Sequence, residues 1–308
     1  MVLDMNISSD GTTFLHHCSI YKAKFAFIAF FPPKAYYINY VILCVVNFLL
    51  AFSSTFLNSI TVLAYWRSSL LKKKKSYFVI MLLSVSDLAV GLLSNSTFVV
   101  LMMCHLLGFG SCSFTAACVT VTYTFPCMSL ATLIILNIER YLGIVHPIFH
   151  RNKTKKSTYL TAAVILWFVS TMFISILFIN EHVARVLLSS TIGLILIILV
   201  FIYVSIFLVG RRVHSAIRSP TDETTNRKET LRKIALGKSC LIVVCCTLLC
   251  SLPVALSNSL HKRTPNGNAF VMWGHTLLFS ASTFNSVIFF WRNKLLRNEA
   301  RKIVFRCI

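Results

Sequence analysis

The chain has 308 residues, of which 56% are apolar and 13% are charged, and its mean hydropathy is +0.76. A soluble domain of this size carries roughly a quarter charged residues, so the composition excludes an ordinary soluble protein and predicts a membrane protein. The net charge of +21 does not indicate a nucleic-acid partner, because the basic residues are divided among loops instead of sharing one soluble face.

Long intervals without Lys, Arg, Asp or Glu predict seven membrane-spanning helices. A spanning helix needs about 20 mostly apolar residues, and a backbone inside lipid must satisfy its own hydrogen bonds. Residues 76–138 are long enough for two helices, with Asp87 as their single charge and a glycine-rich break at residues 108–111. The predicted helices are residues 37–66, 77–103, 113–142, 158–180, 184–212, 231–259 and 267–291.

The basic residues predict how the helices are oriented. Of the 30 Lys and Arg residues, 24 fall on one side of the predicted bundle, in residues 67–75, 140–156, 211–238 and 292–306. Loops rich in Lys and Arg remain in the cytoplasm. The sequence therefore predicts a multi-pass plasma-membrane protein with an extracellular N-terminus (1–36), a seven-helix domain (37–291) and a cytoplasmic C-terminus (292–308).

Two modification sites are predicted outside the spans. Asn6 begins an Asn-Ile-Ser acceptor for N-glycosylation on the extracellular side. Residues 292–308 place Leu296, Ala300 and Ile303 at helical spacing among basic residues, which predicts an amphipathic eighth helix on the bilayer surface. Cys307 at the end of this helix is a candidate for palmitoylation.

One polar or charged motif falls in each predicted span. In chain order the motifs are Asn58, Asp87 within Leu-Ser-Val-Ser-Asp-Leu, Glu139-Arg140-Tyr141, Trp167, Tyr203, Pro253 after Cys-Ser-Leu, and Asn285. Together they resemble the motifs of rhodopsin-family G-protein-coupled receptors, over residues 37–308. The resemblance implies an all-α membrane protein with a seven-helix bundle. It also implies that the protein transmits the signal of an extracellular ligand to heterotrimeric G proteins, with arrestin as a further candidate partner.

The resemblance implies a coupling role for the charged block at the end of the third helix. Arg140 would pair with Glu139 in the resting state and be released toward the G protein, close to Tyr141 and Tyr203. Pro253 would be the hinge that lets the sixth helix swing outward, since proline removes a backbone hydrogen bond. Apart from the resemblance, the position of Arg140 also suits an arginine at the end of a spanning helix whose side chain extends into the headgroup layer.

Asp87 lies deep in the second predicted span, where a carboxylate costs about 3 kcal/mol to insert. The resemblance places Ser129 and Asn285 beside it, and these three residues could hold a structural sodium ion. A protonated aspartate, hydrogen-bonded within a polar cluster, explains the same residues. The sequence leaves both explanations open, and it suggests no other cofactor.

Three positions depart from the family pattern. Ser251 stands where the sixth helix usually has Trp, and Ser286 and Phe289 replace a Pro and a Tyr of the seventh helix. Phe289 keeps the packing volume of a tyrosine but donates no hydrogen bond. The sequence therefore predicts altered activation switches, or a bias toward the active state.

The predicted ligand pocket contains Thr122, Pro126, Asn258 and His275. Thr122 stands where amine receptors carry an aspartate, so an ammonium ligand is not expected. An apolar pocket with Lys262 and Arg263 at its rim would suit a lipid or an acidic small molecule. The short second extracellular loop resembles that of the melanocortin, lysolipid, cannabinoid and adenosine branch.

The family's disulfide between the third helix and the second extracellular loop has no counterpart, because residues 180–186 contain no Cys. A bridge between Cys18 and Cys112 is one alternative. Cys104 and Cys118 are the other outward-facing candidates, so the pairing stays open.

A seven-span transporter or channel is the alternative function. Transporters need polar or charged residues across several spans, whereas Asp87 is the one acidic residue deep in the predicted membrane. An enzyme is not expected, because the spans offer no second carboxylate for acid–base chemistry. The predicted partners are a G protein, an extracellular ligand and membrane lipids.

Overall fold

The structure of the chain is a computed structural model. It describes residues 5–7, 13–15, 18–20, 23–25, 34–107, 109, 112–176, 190, 194–195, 197–198, 200–209, 241–254, 256 and 265–307. Four helical stretches among these residues are long and apolar enough to cross a membrane, namely Lys34–Arg67, Lys75–Leu106, Ser113–Val145 and Lys156–Ile174. Each overlaps one of the first four predicted spans.

Two short β-hairpins precede the first helix. Strand β1 (Met5–Ile7) pairs antiparallel with β2 (Thr13–Leu15), and β3 (Cys18–Ile20) pairs antiparallel with β4 (Ala23–Phe25). The sequence predicted no strand in this segment. The helical fold class is unaffected, because the strands are three residues long and lie outside every spanning helix.

Helix α1 (Tyr37–Arg67) follows a 3₁₀ turn, Lys34–Tyr36. Its exposed aromatic residues recur every fourth position at Phe48, Phe52 and Phe56, where they are at least half exposed. Residues four apart share one face of a helix. This apolar face therefore suits contact with lipid instead of water.

The second span is built from three consecutive helical pieces, α3 (Lys75–Ala89), a π-helical segment (Val90–Asn95) and α4 (Ser96–Leu106). The sequence predicted one regular helix here. In the π segment Ser94 donates a 2.8 Å hydrogen bond to the carbonyl of Val121, on the next spanning helix. Such bulges in helices are frequent at functional sites.

Gly91, inside the π segment, allows the first and second spans to approach closely. A Cβ at this position would lie 2.8 Å from Thr55 Oγ1 and 3.0 Å from the Thr55 backbone nitrogen. Replacing Gly91 with Ala is therefore expected to lower the free energy of unfolding by about 1–2 kcal/mol, through overpacking. The measurement is the melting temperature of the purified protein in detergent.

Gly143 provides the matched control for this substitution. The nearest atom to a Cβ at Gly143 is His150 Cε1 at 3.9 Å, an ordinary contact distance. Gly143→Ala should leave the melting temperature unchanged or raise it slightly. Equal melting temperatures for the two variants would contradict the close approach at Gly91.

The third and fourth spans are α5 (Cys112–Val145) and α7 (Lys156–Ile176). The turn at Leu107 ends α4, and α5 begins at Cys112, which agrees with the predicted glycine-rich break. Two short helices in the loops were not predicted. They are α2 (Ser69–Lys72), before α3, and α6 (Pro147–Asn152), between α5 and α7.

The later helices are described in part. Helices α8 (Val200–Val209) and α9 (Leu241–Val254) fall within the predicted fifth and sixth spans. Helix α10 (Pro265–Arg292) corresponds to the predicted seventh span, and α11 (Lys294–Cys307) to the predicted amphipathic helix. In α11 the buried residues are Leu296, Ala300 and Ile303.

The buried core has two clusters, one toward each end of the bundle. The larger cluster includes Leu83, Leu136, Val243 and Phe289, and it joins α3, α5, α9 and α10. The smaller cluster includes Tyr40, Phe98, Met102, Cys118 and Phe279. Polar side chains are buried between and beside these clusters, and they form the candidate site.

Candidate functional site

A buried ion pair lies near the end of α5. Glu139 and Arg140 are 1% and 5% exposed, and Arg140 Nη1 lies 3.4 Å from Glu139 Oε2. Ser76 of α3 donates a 2.8 Å hydrogen bond to Glu139 Oε1, and His150 Nε2 of α6 lies 3.2 Å from the same oxygen. We call Glu139, Arg140, Ser76 and His150 the Glu139 cluster, and the end of the bundle that carries it the Glu139 end.

The charges and hydrogen bonds of the Glu139 cluster hold α3, α5 and α6 together. Removing one partner of a buried ion pair leaves an uncompensated charge, which is strongly destabilising. Arg140 can therefore leave Glu139 only if another partner or water replaces the carboxylate.

Lys75 fixes α6 against α3. Its Nζ donates a 2.7 Å hydrogen bond to the carbonyl of His150 and a 3.3 Å bond to that of Arg151. These carbonyls belong to the last residues of α6, where helical carbonyls lack partners in their own helix. The contact holds His150 where its ring meets Glu139.

Tyr141 and Tyr203 lie beside the Glu139 cluster and make separate contacts. The Tyr141 hydroxyl lies 3.4 Å from His146 Nε2, and the Tyr141 ring packs against Phe201 with centroids 6.3 Å apart. Tyr203 donates a hydrogen bond to Oδ1 of Asn137, which is fully buried on α5. Asn137 thus connects α8 to α5 two residues before Glu139. The sequence did not predict this role, because a single asparagine in a helix forms no recognisable motif.

Asp87, Ser129 and Asn285 lie together in the bundle interior, and each is at most 7% exposed. Ser129 donates a 2.5 Å hydrogen bond to Asp87 Oδ1, and Asn285 Nδ2 donates a 3.1 Å bond to Asp87 Oδ2. Thr247 of α9 donates to Asn285 Oδ1 at 3.3 Å. Asp87 therefore links α3, α5 and α10 directly, with α9 attached through Asn285.

Asp87, Ser129 and Asn285 are hydrogen-bonded to one another. Each carboxylate oxygen of Asp87 already accepts a hydrogen bond from a protein donor. Hard cations bind through oxygen atoms, but Asn285 turns its amide nitrogen toward Asp87 because its oxygen accepts from Thr247. Both explanations of Asp87 stay predictions, because the Ser129 hydroxyl that donates to Asp87 still has oxygen lone pairs that could bind a cation.

A second polar connection joins α1 to α10. Ser286, at a position where the family usually has Pro, donates a 2.6 Å hydrogen bond to Asn58 Oδ1. Asn47 donates a 2.8 Å bond to Thr276 Oγ1 about three turns farther along. Sequence reasoning identified Asn58 but missed Asn47, since only the packing of α1 on α10 pairs it with Thr276.

His275 lies at the opposite end of the bundle from the Glu139 cluster and is 4% exposed. Its Nδ1 lies 2.8 Å from the Val271 carbonyl and therefore donates, while Nε2 lies 2.7 Å from the Tyr123 hydroxyl. A neutral ring has one donor and one acceptor nitrogen, so Tyr123 donates to Nε2. Phe98 stacks on the His275 ring at 5.7 Å, and Phe279 packs at 6.5 Å.

The other predicted pocket residues are only partly described. Thr122 precedes Tyr123 on α5 and is 4% exposed, and its hydroxyl has no hydrogen-bond partner among the described residues. Pro126 lies inside α5 one turn farther along and is half-buried. Asn258 lies outside the described residues. The structure therefore brings Thr122 and His275 to the same end of the bundle, with Tyr123 as a contact that sequence reasoning missed.

Residues 57–186 match the family model described as 7 transmembrane receptor (rhodopsin family). This part of the chain is therefore similar to the receptor domain of the rhodopsin family. The match includes Asn58, Asp87, Glu139, Arg140 and Trp167, which are motif positions of the first four spans. No curated protein matches the chain.

The match supports a receptor of the rhodopsin family. The fold is a seven-transmembrane helix bundle, the chain is a multi-pass membrane protein, and receptors of this family are not enzymes. The family implies signalling through heterotrimeric G proteins. The match supports no particular branch, so the predicted leaning toward the melanocortin, lysolipid, cannabinoid and adenosine branch gains no support.

Several predicted sites of the receptor stay predictions. Asn6 is the central residue of β1, and Cys307 is the last residue of α11. Cys18 begins β3 and Cys112 begins α5, but the side chains of all four residues lie outside the described ones. The candidates left over from the disulfide prediction, Cys104 and Cys118, are free cysteines.

Proposed function

We propose that this receptor transmits the binding of an extracellular ligand to a heterotrimeric G protein, which it contacts at the Glu139 end. One observation carries the proposal: Arg140 is buried against Glu139, and Ser76 and His150 hold the same carboxylate from two other helices. A guanidinium retained in this way is available to a partner only after the helices separate. Tyr141 and Tyr203 line the same end.

The proposed opening is an outward movement of the sixth helix, hinged at Pro253. Gly274 lets α10 approach α9 closely at this hinge because it has no side chain. A Cβ at Gly274 would lie 3.3 Å from the Val254 backbone nitrogen and 3.4 Å from the Pro253 carbonyl carbon. Pro253 lacks an N–H, so the helix is weakened at this point. The part of α9 before Pro253 can then move outward about the point where Pro253 and Val254 pack on Gly274 of α10.

The proposed ligand is a lipid or an acidic small molecule that binds near Thr122 and His275. The surroundings of His275 are aromatic, and the buried Thr122 hydroxyl without a described partner can hydrogen-bond a polar group of the ligand. Buried polar groups normally have partners. A panel of acidic lipids and small organic acids that leaves G-protein activation unchanged would contradict this ligand class.

The proposed orientation places the N-terminus outside the cell and the Glu139 end in the cytoplasm, following the 24 basic residues on that side. Asn6 then lies on the side of the membrane where N-glycans are attached. We expect an amidase that removes N-linked glycans to increase the gel mobility of the wild-type protein and not that of Asn6→Gln. Asn95→Gln serves as the control, because Asn95 is buried within the second span; a mobility shift that survives Asn6→Gln would contradict the assignment.

Helix α11 is proposed to lie on the cytoplasmic surface of the bilayer, with an acyl chain on Cys307. Leu296, Ala300 and Ile303 pack into the larger core cluster and hold α11 against the Glu139 end, while Arg301 and Lys302 are exposed. An acyl-exchange assay should label the wild-type protein and lose that label in Cys307→Ser. Equal labelling of both proteins would place the acyl chain elsewhere.

Reconstitution of the purified protein tests the proposed function against the transporter alternative. Proteoliposomes receive one purified Gα class at a time with Gβγ, and nucleotide exchange and ion or solute flux are measured in the same preparation. We expect accelerated exchange with at least one Gα class and no flux above that of empty vesicles. Flux without accelerated exchange would overturn the receptor assignment in favour of a transporter.

A further inference from the structure

Helix α8 packs on the bundle through one apolar face. Ile202 and Ile206 are buried, and residues four apart share a face of a helix. Phe201 is exposed and suits contact with lipid. Tyr203 lies half-buried against the larger core cluster, and its hydroxyl donates a hydrogen bond to Asn137 Oδ1 on α5. This bond adds a polar contact to an apolar interface.

The carboxamide of Asn137 is oriented by its own helix. Its Nδ2 donates a 2.7 Å hydrogen bond to the carbonyl of Leu133, one turn earlier in α5. A carboxamide carries its donors on the nitrogen and its acceptor on the oxygen, and the Leu133 carbonyl can only accept. The oxygen is therefore directed away from the α5 backbone, where the Tyr203 hydroxyl reaches it. Asn137 thus presents an acceptor to α8 in a fixed orientation.

Burial makes this bond costly to break without a replacement. Asn137 has no exposed surface, and the preceding Leu136 is fully buried in the larger core cluster. A buried acceptor that loses its donor keeps the full cost of its desolvation, and hydrocarbon offers no donor in exchange. The Tyr141 ring also packs against α8, but its partner Phe201 is exposed, so lipid can replace that contact at little cost.

We propose that Asn137 is a positioning residue, which holds α8 against α5 in the resting receptor by accepting the hydrogen bond of the Tyr203 hydroxyl. The Glu139 cluster joins α3, α5 and α6, so two restraints lie two residues apart on α5 and hold different helices. Loss of the bond would release α8 while the ion pair remains. This role rests on the proposed function, which defines the resting state, whereas the contact between α5 and α8 does not.

Replacing Asn137 with Leu tests the role, because leucine has about the same size and no acceptor. Hydrogen–deuterium exchange of the α8 amides is measured by mass spectrometry on the purified full-length protein in detergent, and basal nucleotide exchange is measured with each Gα class. A hydrogen bond between spanning helices shifts an equilibrium by about threefold on average. We therefore expect α8 amide exchange about threefold faster, because α8 opens more often, and basal nucleotide exchange about threefold higher.

Tyr203→Phe removes the same bond from the other side. It should accelerate α8 amide exchange about as much as Asn137→Leu, and the double variant should be no faster than the faster single variant, because both changes remove one interaction. Fully additive increases would overturn the bond as the restraint. If the leucine variant does not fold, unchanged α8 amide exchange in Tyr203→Phe would overturn the proposal by itself.

Asn47→Leu is the matched control. Asn47 is also fully buried and donates to the carbonyl four residues earlier, but its partner across the interface is Thr276 on α10. It should leave α8 amide exchange and basal nucleotide exchange at the wild-type rates. Equal increases in both leucine variants would show a general loosening of the bundle and overturn the proposal.

The two readouts separate this role from the proposed function. Faster α8 amide exchange in Asn137→Leu without a rise in nucleotide exchange, in a receptor whose wild type activates a Gα class, would overturn the positioning role. A wild-type protein that activates no Gα class would overturn the proposed function instead. The α8 amide exchange would then support or overturn the contact between Tyr203 and Asn137 alone.

Discussion

Replacing Glu139 with Gln is expected to raise basal G-protein activation. The substitution keeps the shape of the side chain but removes the charge that lies 3.4 Å from Arg140 Nη1. The pair favours the closed packing, and every 1.4 kcal/mol of that preference corresponds to about a tenfold change in the population of the open state. We therefore expect about a tenfold rise, measured as nucleotide exchange without added ligand.

Two further substitutions separate the ion pair from its surroundings. Ser76→Ala removes one hydrogen bond to the Glu139 carboxylate and leaves the ion pair, so its rise should be smaller. Glu299→Gln removes the same charge from α11, where Glu299 pairs with Lys302, and should leave basal exchange unchanged. Basal exchange in Glu139→Gln at or below the wild-type rate would contradict the locking role of the pair.

Replacing Ser286 with Pro should destabilise the receptor by about 3 kcal/mol. Proline removes a backbone hydrogen bond of a helix interior and clashes with the preceding turn. In α10 it also removes the hydroxyl that donates to Asn58 Oδ1 at 2.6 Å. Proline is the residue that the family usually has at this position. In this chain α10 runs without interruption from Pro265 to Arg292 with a serine there.

The matched variant for this prediction is Ser286→Ala, which removes the hydroxyl and keeps the backbone bond. Hydrogen bonds between spanning helices contribute about 0.6 kcal/mol on average, so its melting temperature should fall much less than that of Ser286→Pro. Thermal unfolding followed with a thiol-reactive dye measures both variants. A Ser286→Pro protein as stable as the wild type would show that the serine is not needed to join α1 and α10.

The positions of the spanning helices could be predicted well from sequence because lipid imposes a simple length rule. The charge-free interval at 35–66 corresponds to the described span Lys34–Arg67, and the glycine-rich break separates α4 from α5. Charged residues are expensive inside the bilayer, so their absence marks the spans directly. The two hairpins, α2 and α6 lie outside this rule, and their short segments carry no comparable periodic pattern.

The sequence predicted those residues of the candidate site that are energetically unfavourable inside a membrane. It did not predict the ordinary polar residues that contact them. A carboxylate in a span drew attention to Asp87, and the structure places Ser129 and Asn285 on its two oxygens. Ser76, which donates a hydrogen bond to Glu139, lies 63 positions upstream on α3. His150, which also contacts Glu139, lies in the loop that follows α5. Serine and histidine are common at such positions, so only the packing identifies them. The functional roles of these residues stay predictions.

The measurement that tests the central claim most directly compares wild-type receptor, Arg140→Ala and Arg301→Ala in cells, across a panel of Gα classes and at matched surface expression. Arg140 is buried against Glu139, whereas Arg301 is an exposed arginine of α11. The account predicts that wild type and Arg301→Ala activate the same Gα class to the same extent, and that Arg140→Ala loses this signal. Equal activation by all three proteins would contradict a coupling role for Arg140.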